Sequence, residues 1–330
     1  MGGRLALPSL MNAEIYSEWL RRQGLSVVRT ASSCWHSQVC RVYQAFPYHQ
    51  LIEPSADEIQ ELTRGHGALA LRYSLPPGAA KGAPCYHVVY TGREYGLENL
   101  SSWARKNVRR GLRNTNVQTI SLERYVREGW ALRIDTLARQ KRVLQESEKD
   151  WKRTYNAISD LPGFEIWAAE THGKLAATIV IFRFDDWYYM VYQQCHSDYL
   201  RDHAPNALSF RVTEELVQRP GVRGIFYGMQ SLDAPASVDE FKFRMGYEAR
   251  PVRQCVELHP WLGPFVNRTS YGLVRAIARS SPQQYWPAKA AGMFRVFLAG
   301  TSSNSIQSRS SQEVSGAATP AEKAACAGNE

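Results

Sequence analysis

With 330 residues and 44% hydrophobic side chains, the chain can form a full core, which excludes a disordered protein. Its six cysteines are scattered without a C-x-x-C pair, which argues against a disulfide framework and against a zinc site. The net charge of +9 is concentrated in residues 101–155, where 14 Lys or Arg and 6 Asp or Glu leave a balance of +8, and this favours a local anionic partner.

The sequence also lacks the signals of a secreted or membrane protein. The N-terminal residues have no apolar region of the signal-peptide kind. No stretch approaches the roughly 18 consecutive apolar residues that a membrane-spanning helix needs. We therefore expect a cytoplasmic protein with no membrane span.

Residues 1–100 alternate between helical and extended patterns. Residues 12–23 predict one helix, and residues 54–64 predict another, which Ser55 and Glu58 begin with a capping box. The expected strands of this region cover residues 25–29, 38–43, 68–74 and 85–91. A helix followed by several strands suits an α/β half of a larger fold.

Residues 101–160 predict a basic helical segment. Its first helix, over residues 100–114, carries five cations in two adjoining rows: Arg105, Lys106, Arg109, Arg110 and Arg113. This face is either a solvated surface or a contact surface for tRNA or another polyanion. Further helices are expected at residues 122–128, 130–147 and 149–159.

The Pro162-Gly163 pair interrupts the helical segment, and residues 161–262 then predict a sheet with one long helix that begins at Pro205. The expected strands cover residues 164–170, 175–184, 187–194, 224–227 and 252–258. Residues 263–299 predict closing helices. Residues 300–330 are rich in Ser, Ala and Thr, contain no aromatic residue, and are expected to be disordered.

The segment Phe241-Lys242-Phe-Arg-Met-Gly246-Tyr247 closes this sheet. Together with the order of elements before it, the segment resembles the signature of the FemAB-like branch of the acyl-CoA N-acyltransferase (GNAT) superfamily. The resemblance covers residues 164–260 well and the earlier residues loosely. It implies an α/β (α+β) fold of tandem GNAT-like halves, each a mixed, mostly antiparallel sheet flanked by helices, with the C-terminal half better formed.

The resemblance also implies an activity, the transfer of an acyl group from acyl-CoA to an amine of a small molecule or a cell-envelope precursor. Acetyl-CoA is the default donor. The working cleft would lie where the strands at 187–194 and 224–227 splay apart. Lys242 stands where many relatives carry a tyrosine that acts as general acid, and its ammonium group can stabilise developing oxyanion charge. Tyr192 and Tyr227 are the other candidate catalytic residues.

The loop after the strand at 187–194 is the expected site for the pyrophosphate of CoA, because a helix N-terminus attracts anions. The nearest match to the family's glycine-rich loop is Arg201-Asp-His-Ala204-Pro-Asn206, in which both glycines are replaced. The candidate cofactor-binding residues are Gln194, Arg201, His203, Ala204, Asn206, Ala207 and Gln230.

Strand alternation limits which polar side chains can face this cleft. A period of two places Gln194 on the same face as Tyr192 and Met190, so only one of Gln193 and Gln194 can face the donor. No metal site is expected, because the histidines show no metal-ligand spacing.

Two other functions fit the same residues. The donor could be an aminoacyl-tRNA, as in the peptidoglycan-bridge enzymes, with the basic run at residues 105–113 holding the nucleic acid. Alternatively, the chain could be a catalytically decayed GNAT-fold binding module with residues 101–155 as its contact surface, because the glycine loop and a strand carboxylate are missing. Direct binding of CoA or of charged tRNA separates the two enzymatic alternatives.

Overall fold

The computed structural model describes residues 9–38, 41–140, 142, 144, 146–230, 237–280 and 286–300. Its strands are β1 Val27–Arg29, β2 Cys34–Ser37, β3 Val42–Phe46, β4 Ala70–Leu75, β5 Ala83–Tyr90, β6 Asn116–Thr119, β7 Phe164–Thr171, β8 Lys174–Phe184, β9 Trp187–Cys195, β10 Gly224–Met229 and β11 Glu248–Leu258. The tail for which disorder is expected lies outside the described residues from position 301 onward.

The helices cover both faces of the sheet that these strands form. They are α1 Ser9–Arg22, α2 Ala56–Gln60, α3 Ser102–Asn114, α4 Leu122–Arg139, α5 Glu148–Asn156, α6 Ala204–Gln218, α7 Ser237–Arg244, α8 Arg268–Ser280 and α9 over residues 286–300. The strands lie in one sheet of eleven, in the order β1-β2-β3-β4-β11-β5-β10-β9-β8-β7-β6.

The sheet contains two similar halves. In the first half, β3 and β4 run parallel and pair from Val42↔Ala70 to Gln44↔Arg72. In the second half, β9 and β10 do the same from Trp187↔Gly224 to Tyr189↔Phe226. The other pairings between described strands are antiparallel. The expected tandem, mostly antiparallel architecture is thus confirmed.

An exchange of strands joins the halves into one sheet. β5 from the first half pairs with β10 and with β11 of the second half, and β11 in turn pairs with β4. The second half is the more regular, since β7 to β9 have 8, 11 and 9 residues while β1 to β3 have 3, 4 and 5. Each half therefore needs a strand from the other half to complete its part of the sheet.

The core lies in two layers, one on each side of the sheet. Alternating residues of β8 show the division, because Ile179 and Ile181 pack with α3 and α6 while Phe182 packs with α1. Val180 packs with α4 and α5 on that second side. Apolar residues occupy both faces of β8, as expected for a central strand.

Two predicted elements are wrong in their bounds. Of the strand expected at 38–43, only residues 42 and 43 are extended, as the start of β3; β2 ends before it at Ser37, Arg41 has a φ of +55°, and residues 39 and 40 lie outside the described residues. The helix expected at 130–147 joins the one before it and ends at Arg139, and a separate helix begins after Ser147. The Ser147 hydroxyl accepts the N–H of Asp150 at 3.1 Å and completes a capping box.

Candidate functional site

The strands β9 and β10 separate part-way along their length. Their last paired residues are Tyr189 and Phe226, although β9 continues to Cys195 and β10 to Met229. Each strand has an irregularity at this point. β9 has one extra residue, Val191, opposite β8, and β10 shifts register against β5 beside Gly228, whose φ is +147°. The two strands thus stop pairing where their divergence was predicted, and the unpaired stretch between them is the opening.

Side chains bridge the opening on the face that bears α6. The Tyr227 hydroxyl on β10 donates a hydrogen bond to Oε1 of Gln193 on β9. The amide of Gln193 donates in turn to Oγ of Ser209 on α6, at 3.0 Å. Burial raises the pKa of Tyr227, so this phenol stays protonated and remains a donor near neutral pH.

Lys242 lies next to this bridge. Its Nζ is 5.0 Å from the centre of the Tyr227 ring and 2.7 Å from Oδ1 of Asp239, and its side chain is only 16% exposed. The hydroxyl of Tyr86 donates to the other oxygen of Asp239 at 3.1 Å. The ammonium group is therefore held in place at one side of the opening, where it can stabilise negative charge.

Gly246 and Tyr247, which end the segment that begins at Phe241, fix the position of α7. Gly246 has a φ of +83°, and a Cβ on it would lie 2.7 Å from the Asn99 carbonyl oxygen, so this position requires glycine. The Tyr247 hydroxyl lies 2.7 Å from Oγ1 of Thr213 on α6. The segment thus fixes α7 between the sheet and α6.

Tyr192 and Gln194 lie on the opposite face of β9. The extra residue Val191 reverses the alternation, so the predicted grouping of Met190 with these two residues is wrong. Met190 packs towards α6, whereas the Tyr192 ring lies 6.1 Å from that of Tyr155 on α5. Gln194 is 2% exposed and accepts a hydrogen bond from Tyr125 of α4 at 3.4 Å. Of the two glutamines, Gln193 is the one that faces Tyr227.

The start of α6 is covered by α3. A Cβ on Gly111 would lie 2.6 Å from the His203 carbonyl oxygen and 2.9 Å from Cβ of Ala207. That carbonyl oxygen already accepts the N–H groups of Asn206 and Ala207, at 3.0 and 3.1 Å, and Pro205 has no N–H group. The predicted anion cradle therefore has few N–H groups left to offer.

The other residues predicted to contact the pyrophosphate differ in their exposure to solvent. Arg201 is exposed, whereas Ala204 and Ala207 are completely buried and Asn206 is nearly so. Burial, together with the nearby Arg110, lowers the pKa of His203, which favours its neutral form.

The basic run forms the outer face of α3 as expected. Arg105 is turned inward, and it donates to the carbonyl oxygens of Leu97 and Leu100 at 2.9 and 3.3 Å. The other four cations are exposed: Lys106, Arg109, Arg110 and Arg113. Within the described part of the chain, no ion pair is formed by these four side chains. The face is therefore open to an external anion.

Gln230 lies apart from the other candidates. Its N–H donates to the Tyr86 carbonyl oxygen at 3.0 Å, and its side chain lines a small cavity of about 220 Å³ with Gln254 and Arg295. The seven candidate cofactor residues thus fall in three places, which are the start of α6, the α4 side of β9 and this cavity. Their role stays a prediction.

Sequence reasoning missed Gly111 and Ser209. A glycine in the middle of a basic helix was the available signal, because glycine weakens a helix and needs a packing reason to stand there. Ser209 gave no signal, since its partner Gln193 lies on another element.

Comparison with known proteins identifies the fold. No protein-family model matches the sequence, and no curated protein matches it. Among solved structures, FemX matches with a TM-score of 0.52 and 9% identity, over 79% of this chain and 99% of FemX. This chain has a GNAT-like fold of the FemX kind.

A second solved structure has the same fold. It is the C-terminal domain of a putative lysylphosphatidylglycerol synthetase from Agrobacterium fabrum, with a TM-score of 0.51 and 14% identity over 75% of this chain and 92% of that domain. A tandem GNAT protein from the clavulanic acid biosynthesis pathway also matches, with a TM-score of 0.42 and 12% identity over 77% of this chain and 97% of that one.

Within the described ranges, every helix is too short or too polar to cross a bilayer. No group of three or more His, Cys, Asp or Glu side chains in those ranges is arranged to hold a metal ion.

Proposed function

We propose that this protein is an N-acyltransferase that uses aminoacyl-tRNA as donor and transfers the acyl group at the opening between β9 and β10. The observation that supports this donor is the position of α3, which covers the start of α6 at Gly111 and exposes four cations on its outer face. The pyrophosphate of CoA has little access to the α6 N-terminus, whereas a nucleic-acid backbone would meet the cations directly.

The proposed reaction needs no covalent enzyme intermediate. The amine of the acceptor attacks the ester carbonyl, the new C–N bond forms, and the ribose oxygen leaves with a proton as the C–O bond breaks. Backbone groups of β9 and β10 beyond Tyr189 and Phe226 are not used for pairing with each other, so they are available to orient the carbonyl. Lys242, held by Asp239, stabilises the negative charge that develops on oxygen.

Acyl-CoA, with acetyl-CoA as the simplest case, is the rival donor. The opening between the strands would accept an ester and a thioester equally well, so it favours neither. The acceptor in both cases would be an amine of a small molecule or of a cell-envelope precursor.

Binding measurements separate the two donors. We expect fluorescently labelled alanyl-tRNA to bind with an affinity that falls steeply with salt, and acetyl-CoA to give no heat of binding in calorimetry. Reversing two charges, Arg109→Glu with Arg113→Glu, should weaken tRNA binding at least tenfold. The matched control is Arg127→Glu with Arg153→Glu, two equally exposed arginines on α4 and α5. Binding of acetyl-CoA without binding of tRNA would overturn the proposal.

A second measurement distinguishes an enzyme from a binding module. Lys242→Met should leave tRNA affinity within about twofold of the original while it slows transfer of labelled alanine to a mixture of amines by 100-fold or more. If the substitution leaves the transfer rate unchanged, Lys242 has no role in catalysis. If the original protein also transfers nothing, a binding module is the better description.

A further inference from the structure

The helix α8 lies at the surface of the protein. All thirteen of its residues belong to the described part of the chain, and none of them is buried. Leu273 and Ile277 are 64% and 38% exposed. A helix of a globular protein usually packs its apolar stripe against the core. In α8 the two largest aliphatic side chains are instead exposed.

The residues of α8 divide around its axis into a basic row and an apolar row. Arg268, Arg275 and Arg279 are at positions i, i+7 and i+11, which an α-helix places within about 40° of one another. Leu273 and Ile277, four residues apart, lie on the opposite side. Three half-buried residues lie between the two rows: Tyr271, Val274 and Ala278. α8 is therefore an amphipathic basic helix whose apolar row is exposed.

Other exposed apolar side chains are concentrated near α8 in the sequence. Eleven large hydrophobic side chains are exposed among the described residues, and five of them lie between positions 261 and 286. Besides Leu273 and Ile277, these are Trp261, Phe265 and Trp286, which are 55%, 68% and 50% exposed. Such a concentration of exposed apolar groups indicates contact with another apolar surface.

The charge of this segment is entirely positive. From residue 258 to residue 312 the sequence contains six Lys or Arg and no Asp or Glu. Arg268, Arg275 and Arg279 are exposed, and no other described residue forms an ion pair with any of them. A surface that covers α8 should therefore be both apolar and negatively charged.

A bilayer with acidic phospholipids has both properties. Amphipathic basic helices lie in the plane of the membrane interface, with their apolar side chains at the acyl boundary and their cations near the lipid phosphates. Tryptophan is enriched at the same depth. At about 20 Å, α8 is too short to cross the hydrocarbon core of roughly 30 Å, so it would lie on the bilayer.

Other partners fit α8 less well. A nucleic acid would pair with the arginines but leave Leu273 and Ile277 exposed. A second copy of this chain could cover these two side chains but would bring arginines close to arginines. Residues 301–330 include one Ile, one Val and no Leu, Met or aromatic residue, so they cannot supply a matching apolar face.

We propose that α8 and the exposed aromatic residues near it bind the surface of a bilayer that contains acidic phospholipids. Leu273 and Ile277 enter the outer part of the acyl layer, and the three arginines extend towards the lipid phosphates. This binding depends neither on the donor nor on whether the protein is an enzyme.

Sedimentation of the full chain with sucrose-loaded vesicles tests the binding. We expect phosphatidylcholine vesicles with about 30% phosphatidylglycerol to bind at least tenfold more tightly than pure phosphatidylcholine vesicles, and this preference should shrink as salt is raised. Leu273→Ser with Ile277→Ser should weaken binding to the acidic vesicles at least tenfold. Arg275→Gln with Arg279→Gln should remove most of the preference for phosphatidylglycerol.

Matched control variants change the same kinds of residue elsewhere on the surface. Leu51→Ser with Ile134→Ser replaces two exposed aliphatic side chains, and Arg127→Gln with Arg153→Gln replaces two exposed arginines on α4 and α5. Both controls should bind the acidic vesicles as the original protein does. Circular dichroism checks that each variant is folded.

Fluorescence quenching locates the contact. Brominated acyl chains quench tryptophan only at short range, so vesicles that contain them should reduce the fluorescence of bound protein. Trp286→Phe should lower the fraction that is quenched. Trp103→Phe, which replaces an equally exposed tryptophan on α3, should leave that fraction unchanged.

Several results would overturn the proposal. These are absence of binding by the original protein, and full binding by a folded variant with Leu273→Ser and Ile277→Ser. A dimer that this variant converts to a monomer, without vesicle binding, would show that a second copy covers α8. Weaker tRNA binding by Arg275→Gln with Arg279→Gln, with vesicle binding unchanged, would assign this face to nucleic acid.

Discussion

The hydroxyl of Tyr227 and the amide oxygen of Gln193 are joined by a hydrogen bond that crosses the gap between two strands whose backbones have already separated. The bond closes the α6 side of the gap with side chains only.

We expect Tyr227→Phe to reduce the free energy of unfolding by about 1 kcal/mol, the usual net contribution of one hydrogen bond. The phenyl ring keeps its packing against Tyr247, whose ring centre lies 4.9 Å away. Urea unfolding of Tyr227→Phe, Gln193→Met and the double variant gives the coupling energy. If the two substitutions are additive, the bond across the gap contributes nothing to stability.

Replacing only one partner of the ion pair between Lys242 and Asp239 should strongly reduce the stability of the protein. Lys242→Met leaves the carboxylate of Asp239, which is 6% exposed, without its cation, and we expect a loss of roughly 3 kcal/mol. Adding Asp239→Asn should restore most of the stability. Thermal unfolding of both variants tests this.

The control for this pair is Lys152→Met, which breaks an exposed ion pair with Glu148 and should cost well under about 1 kcal/mol. A loss for Lys242→Met no larger than for Lys152→Met would show that the buried pair is not stabilised by its surroundings.

Gly111→Ala should separate α3 from the start of α6. The new Cβ would meet the His203 carbonyl oxygen at 2.6 Å, which is too close for an unstrained contact. We expect a loss of about 2 kcal/mol or more, measured by urea unfolding, because overpacking forces the backbone to shift. In Gly272→Ala on α8, no atom lies within 4 Å of the new Cβ, and a gain of up to about 1 kcal/mol is expected. Equal effects at the two glycines would contradict the close packing of α3 on α6.

Two buried histidines, His36 and His87, and the half-buried His49 make the stability depend on pH. Burial lowers the pKa of His36 and of His87 to about 4 and that of His49 to about 3, whereas the unfolded value is about 6.5. Between those limits the unfolded chain binds more protons, so the contribution of these residues is complete above about pH 6.5 and is lost as the pH falls towards 4. The urea concentration at the midpoint of unfolding should therefore fall as the pH is lowered from 7.5 to 4.5.

The matched comparison replaces one buried and one exposed histidine. His87→Gln should flatten the dependence on pH, while His172→Asn, on an exposed turn, should leave it unchanged. If the urea midpoint of His87→Gln changes with pH as steeply as that of the original protein, burial of the His87 imidazole is not the cause of the pH dependence.

Local patterns in the sequence were enough to predict α3, its rows of cations, the hairpin of β7 and β8, and the order of β9, α6 and β10. Each follows from spacing within one element, because periods of 3.6 and 2 depend on neighbours along the chain. The Phe241 to Tyr247 segment also indicated the fold, and with it the position of Lys242 near Tyr227.

Only the tertiary structure decided which side chains meet at the opening. The extra residue Val191 reverses the faces of β9, so Gln193 rather than Gln194 reaches Tyr227, and a period-2 pattern cannot reveal such an insertion. The contact of Gly111 with His203 covers the start of α6, and it joins residues far apart in sequence. The sequence specified the individual helices and strands because these depend on residues close together in the chain. Access to the site depends instead on packing between elements, which no local pattern records.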